Sequence, residues 1–128
     1  MDTKLAKILI VEDEIPMLEA LRIKFSREGF EVITAEGGEK GLAAALEQHP
    51  DLILLDIIMP GMGGLTVLEK LREDSWGQGV PVILLTNLTP DDKTMKDIEK
   101  YRPSFYLIKS DWKIEDLVSK VKERLGTE

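Results

Sequence analysis

No cysteine occurs in the 128 residues, and there is a single histidine, His49. The first absence excludes disulfide scaffolds, thiolate zinc sites and cysteine nucleophiles. The second excludes a multi-histidine metal centre or a two-histidine mechanism. No apolar run approaches the ~18 residues that cross a bilayer, so no transmembrane helix and no membrane partner are expected. A signal peptide is not expected either, because the apolar stretch from Ile8 to Val11 is cut off by Glu12-Asp13-Glu14. Positive charge is also short: 17 basic residues face 24 acidic ones, a net of −7. That balance argues against direct nucleic-acid binding, since phosphate backbones are held by excess Lys and Arg. The deficit is uneven. Residues 1–86 carry 15 acids and 8 bases, whereas residues 87–128 carry 9 of each.

What is present is an ordinary globular composition, 43% hydrophobic and 32% charged, at a length that suits one domain over residues 1–128. No output domain is expected after Leu125. Five short apolar runs alternate with segments of helical pattern. The runs are Ile8-Leu9-Ile10-Val11, Val32-Ile33, Leu52-Ile53-Leu54-Leu55, Val82-Ile83-Leu84-Leu85 and Phe105-Tyr106-Leu107-Ile108. Three are aliphatic tetrads without polar alternation, the signature of strands buried on both faces of a parallel sheet.

The first helix is expected to open on Pro16, bury Ile15, Leu18, Leu21 and Phe25, and end at Gly29. The second spans about Gly38 to Gln48 with Leu42, Ala45 and Leu46 inward, and Pro50 stops it. The third runs from Leu65 to Glu73 with Leu65, Leu68 and Leu71 on one stripe. The fourth starts at Thr89 and Pro90 and carries a thin stripe of Met95 and Ile98. The last buries Ile114, Leu117, Val118, Val121 and Leu125 ahead of Gly126. The resulting βαβαβαβαβα order implies an α/β fold: a doubly wound three-layer sandwich around an open parallel sheet with right-handed crossovers.

Four of the runs end in polar residues: Glu12-Asp13, Asp56, Thr86 and Lys109. In a parallel sheet these ends share one edge, and open α/β sheets bind ligands beyond it, where the strand order reverses. With the order 2-1-3-4-5 the reversal falls between the first and third strands, beside Asp13 and Asp56. A single acid at such a place is ordinarily a cap or turn residue. Five such residues on one edge, at the ends of four strands, are much harder to dismiss that way.

The set Ile8-Leu9-Ile10-Val11-Glu12-Asp13-Glu14, Leu54-Leu55-Asp56-Ile57-Ile58-Met59-Pro60-Gly61-Met62-Gly63-Gly64, Leu84-Leu85-Thr86 and Tyr106-Leu107-Ile108-Lys109 resembles the receiver domain of two-component response regulators across nearly the whole chain. The resemblance implies a flavodoxin-like (βα)5 fold with sheet order 2-1-3-4-5. It implies that Asp56 accepts a phosphoryl group from the phosphohistidine of a sensor histidine kinase or histidine phosphotransfer protein. It implies Mg2+, or Mn2+, held by Asp13, Asp56 and the backbone carbonyl of Ile58, with Glu12 acting through water. Lys109 would contact the phosphoryl group, Thr86 would hydrogen-bond it, and Thr86 with Tyr106 would form a conformational switch. It further implies a cytoplasmic signalling protein, not an enzyme acting on outside substrates. The face of the fourth helix, fifth strand and fifth helix would serve a downstream target, an effector domain or a homodimer.

Physical chemistry supports these roles. Three carboxylates in one cleft repel each other and an incoming phosphate. A divalent cation and Lys109 together neutralise them, and Mg2+ bridges carboxylate and phosphate oxygens readily. A carboxylate nucleophile at phosphorus needs that neutralisation.

The chain departs from the family pattern in places. Ser110 stands where proline usually follows the lysine, and Ser110 or Asp111 offers a cap to the final helix. Asn87 replaces a small residue and narrows access to Asp56. Ile58 and Leu88 are apolar at positions bordering the path of hydrolytic water, so a long-lived acyl phosphate is expected. Tyr101-Arg102-Pro103-Ser104-Phe105 replaces the usual lead-in to the fifth strand. His49 reads as a solvated residue, and Trp76 and Trp112 as packing residues. A haloacid-dehalogenase-like hydrolase would need a second acid where Ile58 stands. A phosphate-cradling flavin loop would need Ser, Thr and Gly where three acids stand. A phosphorylation-independent binding module is the remaining alternative.

Overall fold

The computed structural model describes residues 5–87 and 92–126, with the side chains of residues 92–94 and 110 excepted. Strands and helices alternate: β1 (Lys7–Val11), α1 (Ile15–Arg27), β2 (Glu31–Ala35), α2 (Gly38–Gln48), β3 (Leu52–Asp56), α3 (Gly64–Glu73), β4 (Val82–Thr86), α4 (Asp92–Lys100), β5 (Phe105–Ile108) and α5 (Ile114–Leu125). A 3-10 turn, Lys109–Asp111, follows β5. The strands form one parallel sheet in the order β2-β1-β3-β4-β5, as expected from the sequence.

Side chains alternate across a strand, so each aliphatic run feeds two cores. Leu9, Val11, Ile53, Leu55, Val82 and Leu84 pack beneath α2, α3 and α4. Ile8, Ile10, Leu52, Leu54, Ile83 and Leu85 pack against α1 and α5. Every residue of β3 and β4 is buried. Each fully buried aliphatic side chain contributes roughly 1.5–3 kcal/mol, so these two strands are the most firmly held part of the fold. α1 is also tied to α5 at the surface, where Lys122 Nζ donates to Glu28 Oε1 at 2.7 Å.

Some helix faces are rotated from the sequence expectation. Ile15 and Leu46 are exposed. α1 buries Leu18, Leu21 and Phe25, and α2 buries Gly38, Gly41 and Ala45. On α3 the buried stripe is Val67, Leu68 and Leu71, with Leu65 half-buried. The close approach of α2 to β1 explains the second case: a side chain at Gly41 would overlap Val11, so small residues face the sheet there. The N-cap position of the final helix falls at Lys113, not at Ser110 or Asp111. The Lys113 backbone N–H donates to Asp116 Oδ2 at 2.9 Å. Ser110 and Asp111 belong to the 3-10 turn instead. Thr89 and Pro90, the expected start of α4, lie outside the described residues.

Candidate functional site

The strand ends bring the expected residues together. Backbone bonds extend the sheet to the rim: Glu12 N–H donates to the Ala35 carbonyl at 3.1 Å and Ile57 N–H to the Leu85 carbonyl at 3.0 Å. The segment after Asp56 then folds back, and Gly64 N–H donates to the Ile57 carbonyl at 2.9 Å. Two glycines make this turn possible. Gly61 has φ 74°, the left-handed region where a side chain is disfavoured. A Cβ on Gly64 would overlap the Asp56 carbonyl oxygen and the Ile57 backbone.

Glu12, Asp13 and Asp56 each offer a carboxylate oxygen, and these oxygens lie within 4.8 Å of one another. Glu12 is 2% exposed and Asp56 4%. Lys109 reaches into the cluster from the end of β5. Its Nζ donates to Glu12 Oε1 at 2.7 Å and lies 3.4 Å from Asp56 Oδ2 and 4.0 Å from Glu14 Oε1. Asp56 Oδ1 accepts from Ile58 N–H at 3.3 Å. The peptide bond after Lys109 is trans, like the others among the described residues. Ser110 in place of proline therefore still leaves the ammonium aimed at the carboxylates.

Burial, first, and the adjoining Asp56 carboxyl, second, push the Glu12 carboxyl up to about 8. For Lys109, burial opposes the charge, but the Glu12 hydrogen bond and the charges of Asp56 and Glu12 outweigh it and raise its pKa. Both shifts have one origin: too much negative charge is packed into too little solvent. Glu12 Oε2 is buried with no hydrogen-bond partner. A buried carboxylate oxygen without a donor is costly. A hard cation accepting three carboxylates and carbonyl oxygen suits this donor set. The residues fit a divalent ion on that ground.

Beside the cluster opens a cavity of about 570 Å³ lined by Asp13, Glu14, Asp56, Ile58, Met59, Pro60 and Asn87. Ile58, 53% exposed, and Asn87 stand at its mouth. Leu88 lies outside the described residues. Strand parity splits the remaining residues. Asp56 alternates with Leu52 and Leu54 on the α1–α5 side of the sheet, and Thr86 alternates with Val82 and Leu84 on the opposite side. Tyr106, level with Leu84, packs with Thr86's face and is half-buried; Thr86 is fully buried.

The sequence reading did not anticipate the contact of Glu14 with Lys109. It also did not anticipate that His49, at the left-handed end of α2, stacks on Trp76 with ring centroids 4.3 Å apart. No spacing rule links positions 49 and 76. Trp112 packs against the α1–α5 core as expected, with its indole N–H buried and unpartnered.

The family model for the response regulator receiver domain matches residues 8–122. The chain belongs to this family. The receiver is 37% identical over 125 residues to the DNA-binding response regulator MtrA of Mycobacterium bovis, covering 98% of this chain and 53% of that protein. It spans about half the length of such curated relatives. Among solved structures it is similar to a CheY-like receiver domain protein of Methanospirillum hungatei, with 29% identity, a TM-score of 0.88, and coverage of 96% and 95% of the two chains. It is also similar to the response regulator TrrA of Thermotoga maritima, solved in complex with Mg2+-BeF, with 33% identity, a TM-score of 0.79, and coverage of 93% and 98%. Receiver domains are the signalling-switch modules of two-component systems, and this one has their fold and acidic pocket. Among the described residues, no helix is long and apolar enough to cross a membrane.

Proposed function

We propose that Asp56 is the phosphoacceptor of this receiver and that its donor is a phosphohistidine on a sensor histidine kinase or a histidine phosphotransfer protein. The observation that carries the reading is Lys109: a single ammonium held 2.7 Å from Glu12 and 3.4 Å from Asp56, at the edge of a cavity that Asp56 lines. In the transfer, an Asp56 oxygen forms the new O–P bond as the N–P bond of the donor breaks. The electron pair of that bond stays on the imidazole. The reaction needs position and charge compensation more than covalent help. Lys109 is already in place to meet the phosphoryl oxygens, and the Ile58 N–H holds the other Asp56 oxygen. Asp13, Asp56, Glu12 and the Ile58 carbonyl would hold Mg2+ or Mn2+, which when bound supplies the remaining positive charge for carboxylates and phosphate.

Thr86 then hydrogen-bonds the phosphoryl group, and Tyr106 on the same face of the sheet follows it. The local charge change biases two packings of the surface formed by α4, β5 and α5. That surface meets a downstream protein, an effector domain or a second copy. The protein works in the cytoplasm as a switch, with self-phosphorylation and slow self-dephosphorylation as its sole chemistry. Ile58, Asn87 and Leu88 govern access of water to the acyl phosphate and make it long-lived.

The test is intact mass after treatment with phosphoramidate, with and without Mg2+, for wild type and Asp56→Asn. A phosphate-sized gain that requires both the metal and Asp56 is expected. An unmodified wild type would instead support a phosphorylation-independent binding module.

A further inference from the structure

Arg72, near the end of α3, makes four hydrogen bonds, all to backbone carbonyls. Its Nε donates to Tyr101 at 2.7 Å, and one Nη donates to Gly77 at 2.7 Å and Val80 at 2.8 Å. The other Nη donates to Arg102 at 3.0 Å. A planar five-donor guanidinium can serve two loops at once, which an ammonium cannot. One helical turn earlier, Glu69 Oε2 accepts from the Tyr101 hydroxyl at 2.6 Å. Burial, and then the neighbouring charge of Arg102, lower the Arg72 pKa, so the clamp holds a charge under pressure for the sake of its carbonyl partners.

The clamped corner is where α4 ends. Tyr101 N–H and Arg102 N–H donate to the Ile98 and Glu99 carbonyls, and Arg102 has φ 54°, a left-handed conformation rare for a residue with a side chain. Ser104 N–H then joins the sheet at the Val82 carbonyl, 2.7 Å away. Among the described side chains of α4, Ile98 is buried, Met95 half-buried and the rest exposed. Among the described residues of α4, the buried side chain, Ile98, and the carbonyls of Ile98 and Glu99 that accept from the corner lie at its C-terminal end.

We infer that Arg72 fixes the C-terminal end of α4 to α3 and to the α3–β4 turn, so that the change started at Asp56 turns α4 about the Tyr101–Arg102 corner and does not slide the helix as a whole. The turning half of this inference rests on the phosphoacceptor reading; the anchoring half does not.

Hydrogen exchange read by mass spectrometry on the full chain tests both halves, with intact mass recorded on the same samples. In wild type, Mg2+ plus phosphoramidate should alter exchange over residues 92–96 and leave residues 98–104 unchanged. In Arg72→Met without phosphodonor, exchange over residues 98–104 should rise by about tenfold, while β1 and β3 keep their protection. Phosphorylation of that variant should now alter residues 98–104 as well. Arg72→Lys keeps the charge but not the fork and should release the same segment, which covers the case in which Arg72→Met does not fold. Unchanged exchange over 98–104 in both variants would overturn the anchor. A wild-type response to phosphorylation as large over 98–104 as over 92–96 would overturn the pivot. No mass gain in wild type would overturn the phosphoacceptor reading and the pivot with it, and the comparison without phosphodonor would still decide the anchor.

Discussion

In the metal-free protein, burial at 2% exposure, first, and the adjoining Asp56 carboxyl lift the Glu12 carboxyl from the ordinary carboxylate range up to about 8. The unfolded chain releases this proton near the ordinary value, and the folded chain holds it much longer. Across that window the folded state binds more protons, so its stability falls as pH rises. At 1.36 kcal/mol per pKa unit, the loss between about pH 5 and pH 8 comes to about 3 kcal/mol. Lys109 adds nothing to this slope, because its pKa is raised from an already high value and it is charged throughout. Glu12→Gln removes the titration while keeping the size of the side chain and an oxygen for the Lys109 ammonium. Urea unfolding in EDTA, at a series of pH values, should show wild type losing this stability and the variant losing far less. Titrations of groups remote from Glu12 are common to both and cancel in the difference. If the two stability curves run parallel from pH 5 to pH 8, the burial argument for Glu12 is wrong.

Three further outcomes follow from the site and its supports. Gly64→Ala must push the Asp56–Ile57 backbone aside, costing about 1–3 kcal/mol, so its thermal midpoint by circular dichroism should fall; an unchanged midpoint would contradict the close approach. The Lys122 hydrogen bond, first, and its charge hold the Glu28 carboxyl below the usual carboxylate range. That contribution is present above the unfolded pKa and is lost as pH falls through the folded one, so Glu28→Gln should flatten the acid limb of the stability curve. On the phosphoacceptor reading, Ile58→Asn places a water-orienting group at the cavity mouth and should shorten the acyl-phosphate lifetime by about tenfold, measured by loss of the mass gain after the phosphodonor is removed.

The strands and the site were legible in the sequence for one reason. An aliphatic tetrad has few ways to be satisfied other than burial on both faces, and a polar residue directly after it is carried to the rim. Glu12, Asp56 and Thr86 were placed by that logic, Lys109 by the half-buried run Phe105–Ile108 ahead of it, and the order 2-1-3-4-5 brought Asp13 beside Asp56. Helix faces were less legible. A helical stripe is broad, and its buried edge is set by how closely the helix meets the sheet. Leu46 turned outward because Gly41 brings α2 against Val11. Arg72 gave no signal at all: its partners are carbonyls of residues 77, 80, 101 and 102, and backbone acceptors have no letter in a sequence. The capping residue of α5 was misplaced because Ser110 and Asp111 are good caps by type, whereas Asp116 supplied the bond from inside the helix.

The two-sided burial of β4 has a consequence for how this protein can be altered. Val82, Leu84 and Thr86 share one side, and Ile83 and Leu85 the other. Exchanging one aliphatic residue for another changes packing locally. Deleting a single residue from the strand reverses the facing of whatever lies on one side of the cut and can turn Leu85, not Thr86, toward the α4 side. The strand is thus permissive in composition and strict in length. Chimeras of this receiver should be joined in the loops, where an extra residue changes reach without inverting a face.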